Sequence, residues 1–211
     1  MRIRLSQRDQ QILETLATKL RLLSQGQISR HWFAADTANA RRRLKQLAEF
    51  GLVERITVRA RPLPNLDRPI ISWRPGQTTP DFGKASYACR VRWRPLPVQT
   101  MVAYVATEFA ASQFGGVRRH GITKHFQVTH DLGVSEMWLM LSRQSPRWAD
   151  AWRGEDVMAA TRYRQKLPDA FIVDANEKVV CAQEFGGTYS RERIRDFHLD
   201  NQARNLSYQL W

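Results

Sequence analysis

Residues 6–73 constrain the fold more than any other stretch of this sequence. Ser6 is followed by Ile12, Leu13, Leu16, Leu20 and Leu23 at helical spacing, which predicts a first helix near 6–21 opened by a serine N-cap. Ser24 to Trp32 reads as a short second helix with Ile28 and Phe33 turned inward. Asp36 or Thr37 caps a third helix, whose apolar stripe is Leu44, Leu47 and Phe50, and Gly51 is its natural C′ residue. Leu52 to Ala60 then alternates as a strand, residues 62–69 (Pro-Leu-Pro-Asn-Leu-Asp-Arg-Pro) form a loop, and Ile70 to Trp73 is the expected return strand.

Three helices followed by a two-stranded hairpin is the layout of a winged helix-turn-helix. The third helix carries Arg41, Arg42, Arg43 and Lys45, and a helix presented in this order is built to enter a DNA groove. The arginine triplet lies at the start of that helix, where base edges would be read, and arginine can pair bidentately with guanine. Arg55, Arg59, Arg61 and Arg68 decorate the expected wing and suit minor-groove or phosphate contacts. A solvated basic helix face is the plainer explanation, and the charge distribution weighs against it. The chain carries a net +13; residues 1–97 hold 19 Lys+Arg against 7 Asp+Glu, and residues 98–211 hold 14 against 13. A basic surface confined to one half attracts phosphates through counterion release. RNA, ribosomal or acidic-membrane partners would fit the charge but would not explain the order of helices.

The 211 residues suggest one large or two small domains, with a hydrophobic fraction of 43% able to supply a core. No apolar run reaches transmembrane length, and residues 1–6 lack the apolar centre of a signal peptide. Cys89 and Cys181 are far apart in apolar company and read as buried free thiols. A cytoplasmic, nucleoid-associated protein with no membrane partner is expected.

Tyr87 to Trp93 fits a strand or the end of a helix, and residues 94–97 (Arg-Pro-Leu-Pro) look like a linker. The domain boundary is therefore placed near 95–97, giving domains 1–96 and 97–211. Val98, Met101, Val102, Val105 and Phe109 predict an apolar helix over 98–114, ended by Gly115-Gly116. His120, His125 and His130 recur at intervals of five, where helical metal pairs prefer four, and no cysteine lies nearby.

From residue 131 the pattern becomes αβββα: a helix over Leu132–Leu141, a short strand near Asp156, strands over Leu167–Val173 and Lys178–Gly187 joined by a turn at Asp174–Glu177, then a long charged helix capped by Ser190 and reaching about Tyr208. Pro168-Asp169 opening one strand and Glu184-Phe185-Gly186 on the next resemble the core of the PD-(D/E)xK nuclease superfamily. Glu136 on the preceding helix matches an additional acidic residue that many members carry. The match is partial, because Gly186 stands where the lysine belongs. The resemblance implies a restriction-endonuclease-like domain, with Asp169, Glu184 and Glu136 as candidate catalytic residues and Asp169 and Glu184 as candidate Mg²⁺ ligands. Carboxylates converge on Mg²⁺ in such sites, the metal activates a water, and the lysine orients it or neutralises charge.

The whole arrangement also resembles the replication-relaxation family of plasmid and mobile-element proteins, which pair an N-terminal winged helix with a nuclease-like domain. The similar segments are Leu5-Ser6-Gln7-Arg8-Asp9 with Ile12-Leu13, the Arg-Arg-Leu pattern of the third helix, His130-Asp131-Leu132-Gly133-Val134, Pro168-Asp169, and Glu184-Phe185-Gly186-Gly187-Thr188. The resemblance implies an α+β protein that binds double-stranded DNA in plasmid replication, relaxation or transfer. The nuclease-like site is expected to bind Mg²⁺ weakly and not to cut. A homodimer is expected, since winged helices commonly read paired half-sites. The alternatives are a Mg²⁺-dependent endonuclease, with Arg191, Arg193 or Arg195 replacing the missing lysine, and a protein-interaction module.

Overall fold

Six helix starts are built by a short polar side chain. In the computed structural model, which describes residues 3–63, 66–93, 96–116, 127–158 and 167–211, Ser6, Ser24, Asp36, Asp81, Thr107 and Ser190 accept hydrogen bonds from backbone N–H groups that open helices. Ser6 with Asp9, and Ser24 with Gln27, form reciprocal capping boxes. The protein is a mixed α+β chain with two sheets, and it divides into two units. One comprises residues 1–60 and 98–135; the other comprises 61–97 and 136–211. A single cut near 95–97 does not describe this. The chain leaves the first unit after Ala60, returns at Val98, and leaves again after Ser135.

The first unit contains α1 (Gln7–Glu14), continued by a π-helical stretch Thr15–Lys19, then β1 (Leu23–Ser24), α2 (Gln25–Trp32), α3 (Thr37–Glu49), β2 (Val53–Ala60), β4 (Gln99–Ala106) and α5 (Glu108–Gln113). α6 (Val128–Gln144) contributes its first half. Ile12, Leu13, Leu16, Ile28, Ala40, Leu44 and Leu47 are buried at the expected helical spacings. α3 ends in a Schellman motif. Gly51 adopts φ 67°, its N–H donates to the Ala48 carbonyl at 2.9 Å, and the Leu52 N–H donates to the Leu47 carbonyl at 3.0 Å.

Three expectations fail here. Residues 98–114 are not one helix: they form β4 and α5, and Phe109 is exposed. The run Thr100-Met-Val-Ala-Tyr-Val105 is rich in β-branched and aromatic residues, and Ala103, Tyr104 and Val105 are all buried, so continuous burial in a central strand mimicked a helical stripe. The partner of β2 is β4, paired antiparallel from Val53↔Ala106 to Ala60↔Gln99, and the sheet order is β1-β4-β2. Ile71–Trp73 is therefore not the return strand of β2. The first helix also stops short of residue 21, ending at Lys19.

The second unit holds β3 (Ile71–Trp73), α4 (Phe82–Val91), the rest of α6, α7 (Pro146–Asp150), β5 (Trp152–Gly154), α8 (Glu155–Met158), β6 (Ala170–Val173), β7 (Val179–Glu184), α9 (Arg191–Ala203) and β8 (Ser207–Leu210). Its sheet order is β3-β8-β7-β6-β5. Three antiparallel strands follow α6, but α7 and α8 interrupt the expected αβββ succession: the first strand is Trp152–Gly154, and Asp156 lies in the short helix after it. The last helix ends at Ala203 rather than near Tyr208. Asn205 turns the chain at φ 52°, and β8 then runs parallel to β7 and antiparallel to β3. The sheet thus gains two strands that the αβββα reading lacked.

One face of this sheet, with Phe171, Ala182, Tyr208, Leu210, Ile71 and Trp73, packs on Ala85 and Cys89 of α4 and on Ile194 and Phe197 of α9. Both cysteines are free and buried, and burial pushes the Cys181 thiol up to about 12. No helix among the described residues is long and apolar enough to cross a membrane.

Candidate functional site

The basic residues of α3 do not share one fate. Arg41, Arg42 and Lys45 are exposed. Arg42 reaches only Asn39 at 3.1 Å, and Lys45 makes a surface pair with Glu49 at 3.8 Å. Arg43 is committed elsewhere. Its guanidinium grips the Asp9 carboxylate at 3.0 and 2.7 Å and also donates to the Arg4 carbonyl at 2.8 Å and to Gln46 at 2.8 Å. Asp9 is fully buried. Burial alone would raise its pKa, but the hydrogen bonds from Arg43 and Ser6 outweigh it and hold the carboxyl below the usual range. Arg43 is thus a structural cation joining α1 to α3, which corrects its assignment to a DNA-reading face.

Arg55 and Arg59 are exposed on β2. Arg55 lies directly opposite Tyr104 of β4, and Arg59 opposite Thr100. Arg61 and Arg68, expected on the same wing, belong to the other unit, where Arg61 donates to the Trp93 carbonyl at 3.2 Å and Arg68 is exposed. The loop expected to join the two strands of the wing is instead the excursion 61–97 that carries β3 and α4.

In the second unit the structure brings Asp169 and Glu184 together. The Ala170↔Gln183 register sets them opposite each other at the ends of β6 and β7. They interlock. The Asp169 N–H donates to Glu184 Oε2 at 3.2 Å, and the Phe185 N–H donates to Asp169 Oδ2 at 2.7 Å. Tyr189 Oη donates to Glu184 Oε1 at 2.5 Å, and Arg193 Nη2 donates to Tyr189 Oη at 2.7 Å, with the guanidinium 3.7 Å from the ring centre. Burial pushes the Tyr189 phenol far above its ordinary range, and the negative charges of Glu184 and Asp169 push it further, so the hydroxyl remains a donor. The strand alternation behind the pair is interrupted: the register shifts between Ile172 and Val173, and Val180 becomes an exposed extra residue instead of joining the face of Ala182.

Gly186, in the place of the lysine, could not accept a side chain. A Cβ there would lie 2.8 Å from Cys89 Sγ, 3.1 Å from Leu210 Cδ1 and 3.1 Å from the Trp211 carbonyl. That direction leads into the packed layer under α4. Glu136 pairs with Arg143 at 3.9 Å and is not brought into a ligand set with the other two carboxylates. Among the described residues, no group of three or more His, Cys, Asp and Glu could hold a metal ion.

Mg²⁺ is held through one or two carboxylates with free oxygens aimed at it, the rest of its octahedron being filled largely by water. Three of the four oxygens of Asp169 and Glu184 already accept hydrogen bonds. The donor set therefore does not fit a resident Mg²⁺. His120 and His125 lie outside the described residues; His130 sits on α6 at 3.9 Å from Asp131.

Sequence reasoning missed Tyr189, Tyr104 and Gln25. Tyr189 sits just before the Ser190 cap, where a buried aromatic locks the chain entering a helix. Tyr104 is the one hydroxyl-bearing side chain inside an apolar strand core, a polar handle needing a partner. Comparison with known proteins finds no matching family model, no matching curated protein and no matching solved structure.

Proposed function

We propose that this chain is a duplex-DNA-binding protein whose first unit is a winged helix-turn-helix and whose second unit is a nuclease-like domain that does not cut. The observation that carries the reading is the surface formed by Arg41, Arg42 and Lys45 on α3 with Arg55 and Arg59 on β2. All five are exposed, and the one ion pair they make among the described residues, Lys45 with Glu49, is solvent-exposed and worth little. Three helices with a β1-β4-β2 sheet support the winged-helix reading, with α3 as the recognition helix and β2 and β4 as the stems of the wing.

The order α6-α7-β5-α8-β6-β7-α9, with Asp169 just before β6 and Glu184 at the end of the adjoining β7, supports the nuclease-like reading of the second unit. The resemblance to replication-relaxation proteins puts such a molecule in plasmid replication, relaxation or transfer, acting as a homodimer on paired half-sites in the cytoplasm.

Purified protein mixed with supercoiled plasmid, with and without Mg²⁺ or Mn²⁺, tests both halves. Retarded, uncut plasmid in every lane is the expected result. Absence of any shift at low salt removes the duplex reading. The juxtaposed carboxylates favour one competing reading, a Mg²⁺-dependent endonuclease; nicking that vanishes in Asp169→Ala would establish it. Light scattering on free and DNA-bound protein tests the dimer, which a monomeric mass in both states would exclude.

A further inference from the structure

The basic face of the first unit has a focus at one phenol. β4 lies between β1 and β2, so Tyr104 occupies the cross-strand row Leu23, Tyr104, Arg55. Its ring is buried, yet its hydroxyl lies 3.5 Å from Oε1 of Gln25, the first residue of α2, and Arg55 stands directly opposite it on β2, close enough to act on the phenol. The positive charge of Arg41, from α3, acts on the same oxygen. Three elements, α2, β2 and β4, thus deliver one side chain each to one spot, within electrostatic reach of Arg41 on α3.

Burial keeps the phenol protonated despite the two cations, so the hydroxyl remains neutral and cannot balance them. Neither Arg41 nor Arg55 is held by a carboxylate among the described residues. A guanidinium beside a neutral phenol, with a second cation in electrostatic reach, leaves positive charge there that an anion would balance. Guanidinium forks match the tetrahedral oxygens of phosphate, and a phenol and an amide supply neutral hydrogen bonds beside them.

We propose that Gln25, Arg41, Arg55 and Tyr104 form a seat for one backbone phosphate of duplex DNA, an anchor that sets the register of the protein and carries no sequence information. The proposal rests on the duplex reading above. It divides the surface by role: phosphate contacts position the protein and base contacts specify, so Arg42 and Lys45 remain for base edges.

The test is fluorescence anisotropy of the full chain on two unrelated duplexes of equal length, across a series of salt concentrations. Arg55→Gln is expected to lower the slope of log affinity against log salt by about one on both duplexes, leaving their affinity ratio unchanged. Tyr104→Phe removes a hydroxyl and no charge, so it weakens both duplexes equally and keeps the wild-type slope. Gln25→Ala, at a half-exposed position, gives the same signature and serves if the Phe variant fails to fold. Wild-type binding with an Arg55→Gln slope equal to wild type overturns the seat while sparing the duplex reading. A variant that changes the ratio between the duplexes also overturns it, because the residue then reads bases. Tight saturable binding of inorganic phosphate alone would reassign the seat to a free anion. Failure of wild type to bind either duplex ends both readings.

Discussion

Arg43 and Arg41 are two residues apart and do opposite work. Arg43 faces the fully buried Asp9, so Arg43→Ala would leave an uncompensated carboxylate inside the first unit. The expected loss is about 2–4 kcal/mol, since removing one partner of a buried pair strands the other charge. Urea denaturation at neutral pH measures it. The same pair sets an acid limb. Because the folded-state pKa of Asp9 is held below its unfolded value, its contribution is complete above about pH 4 and is lost as pH falls through the folded value. Arg43→Ala therefore has its largest stability deficit at neutral pH, and the deficit narrows in acid. Gly186 makes a second residue-scale prediction. Gly186→Lys, which would complete the sequence pattern of a nuclease, should yield no cleavage and a destabilised protein, because the new side chain starts against Cys89, Leu210 and the Trp211 carbonyl. Even Gly186→Ala is expected to cost about 1–3 kcal/mol from overpacking. Nicking activity in a folded Gly186→Lys variant would contradict this account.

At the level of elements, α9 and β8 meet through His198. Its Nδ1 lies 3.0 Å from Tyr208 Oη, and its ring packs edge-on against Trp73 and Tyr208. Burial lowers its pKa, which favours the neutral ring in the folded state. The unfolded chain takes up a proton at about pH 6.5 while the folded chain does not, so stability is full above that value and falls as pH drops toward the folded pKa. A plot of Tm against pH should slope over that window, and His198→Gln should flatten it. The elements that were legible in the sequence are those written in local chemistry. Ser6, Ser24, Asp36 and Ser190 mark helix starts by capping, Gly51 ends α3, and the turn at Asp174–Glu177 joins β6 to β7 where expected. The pairing of Asp169 with Glu184 was also readable, since it depends on one hairpin. The partner of β2 was not readable, because Gln99–Ala106 and Ile71–Trp73 are both plausible strands and only long-range burial chooses between them. Arg43 was misread for a related reason: nothing local distinguishes an arginine aimed at solvent from one aimed at an aspartate on another helix.

For the molecule as a whole, the interleaving of the two units decides how it can be cut. A fragment of residues 1–96 lacks β4, the central strand of the first sheet, and also β8, the neighbour of β3. It should show no cooperative thermal unfolding by circular dichroism, although it contains every helix of the helix-turn-helix pattern. A sharp transition in that fragment would mean that β4 is dispensable to the first unit. The same interleaving explains why a composition shift near residue 97 is a poor guide to domains here: it records where the excess of basic over acidic residues ends, whereas the units are defined by which strands pair.

The position of β8 bears on how the protein is made. β3 is synthesised well before its hydrogen-bonding partner, Ser207–Leu210. Until then β3 has no strand beside it, and β7 waits for the same segment on its own open side. Two unmatched strand edges are thus exposed together from the synthesis of β7 until β8 follows it, which is the condition under which nascent chains aggregate or recruit chaperones. β5, β6 and β7 can pair as they are made, but the second sheet closes only when a single short strand slots between two that precede it in the chain.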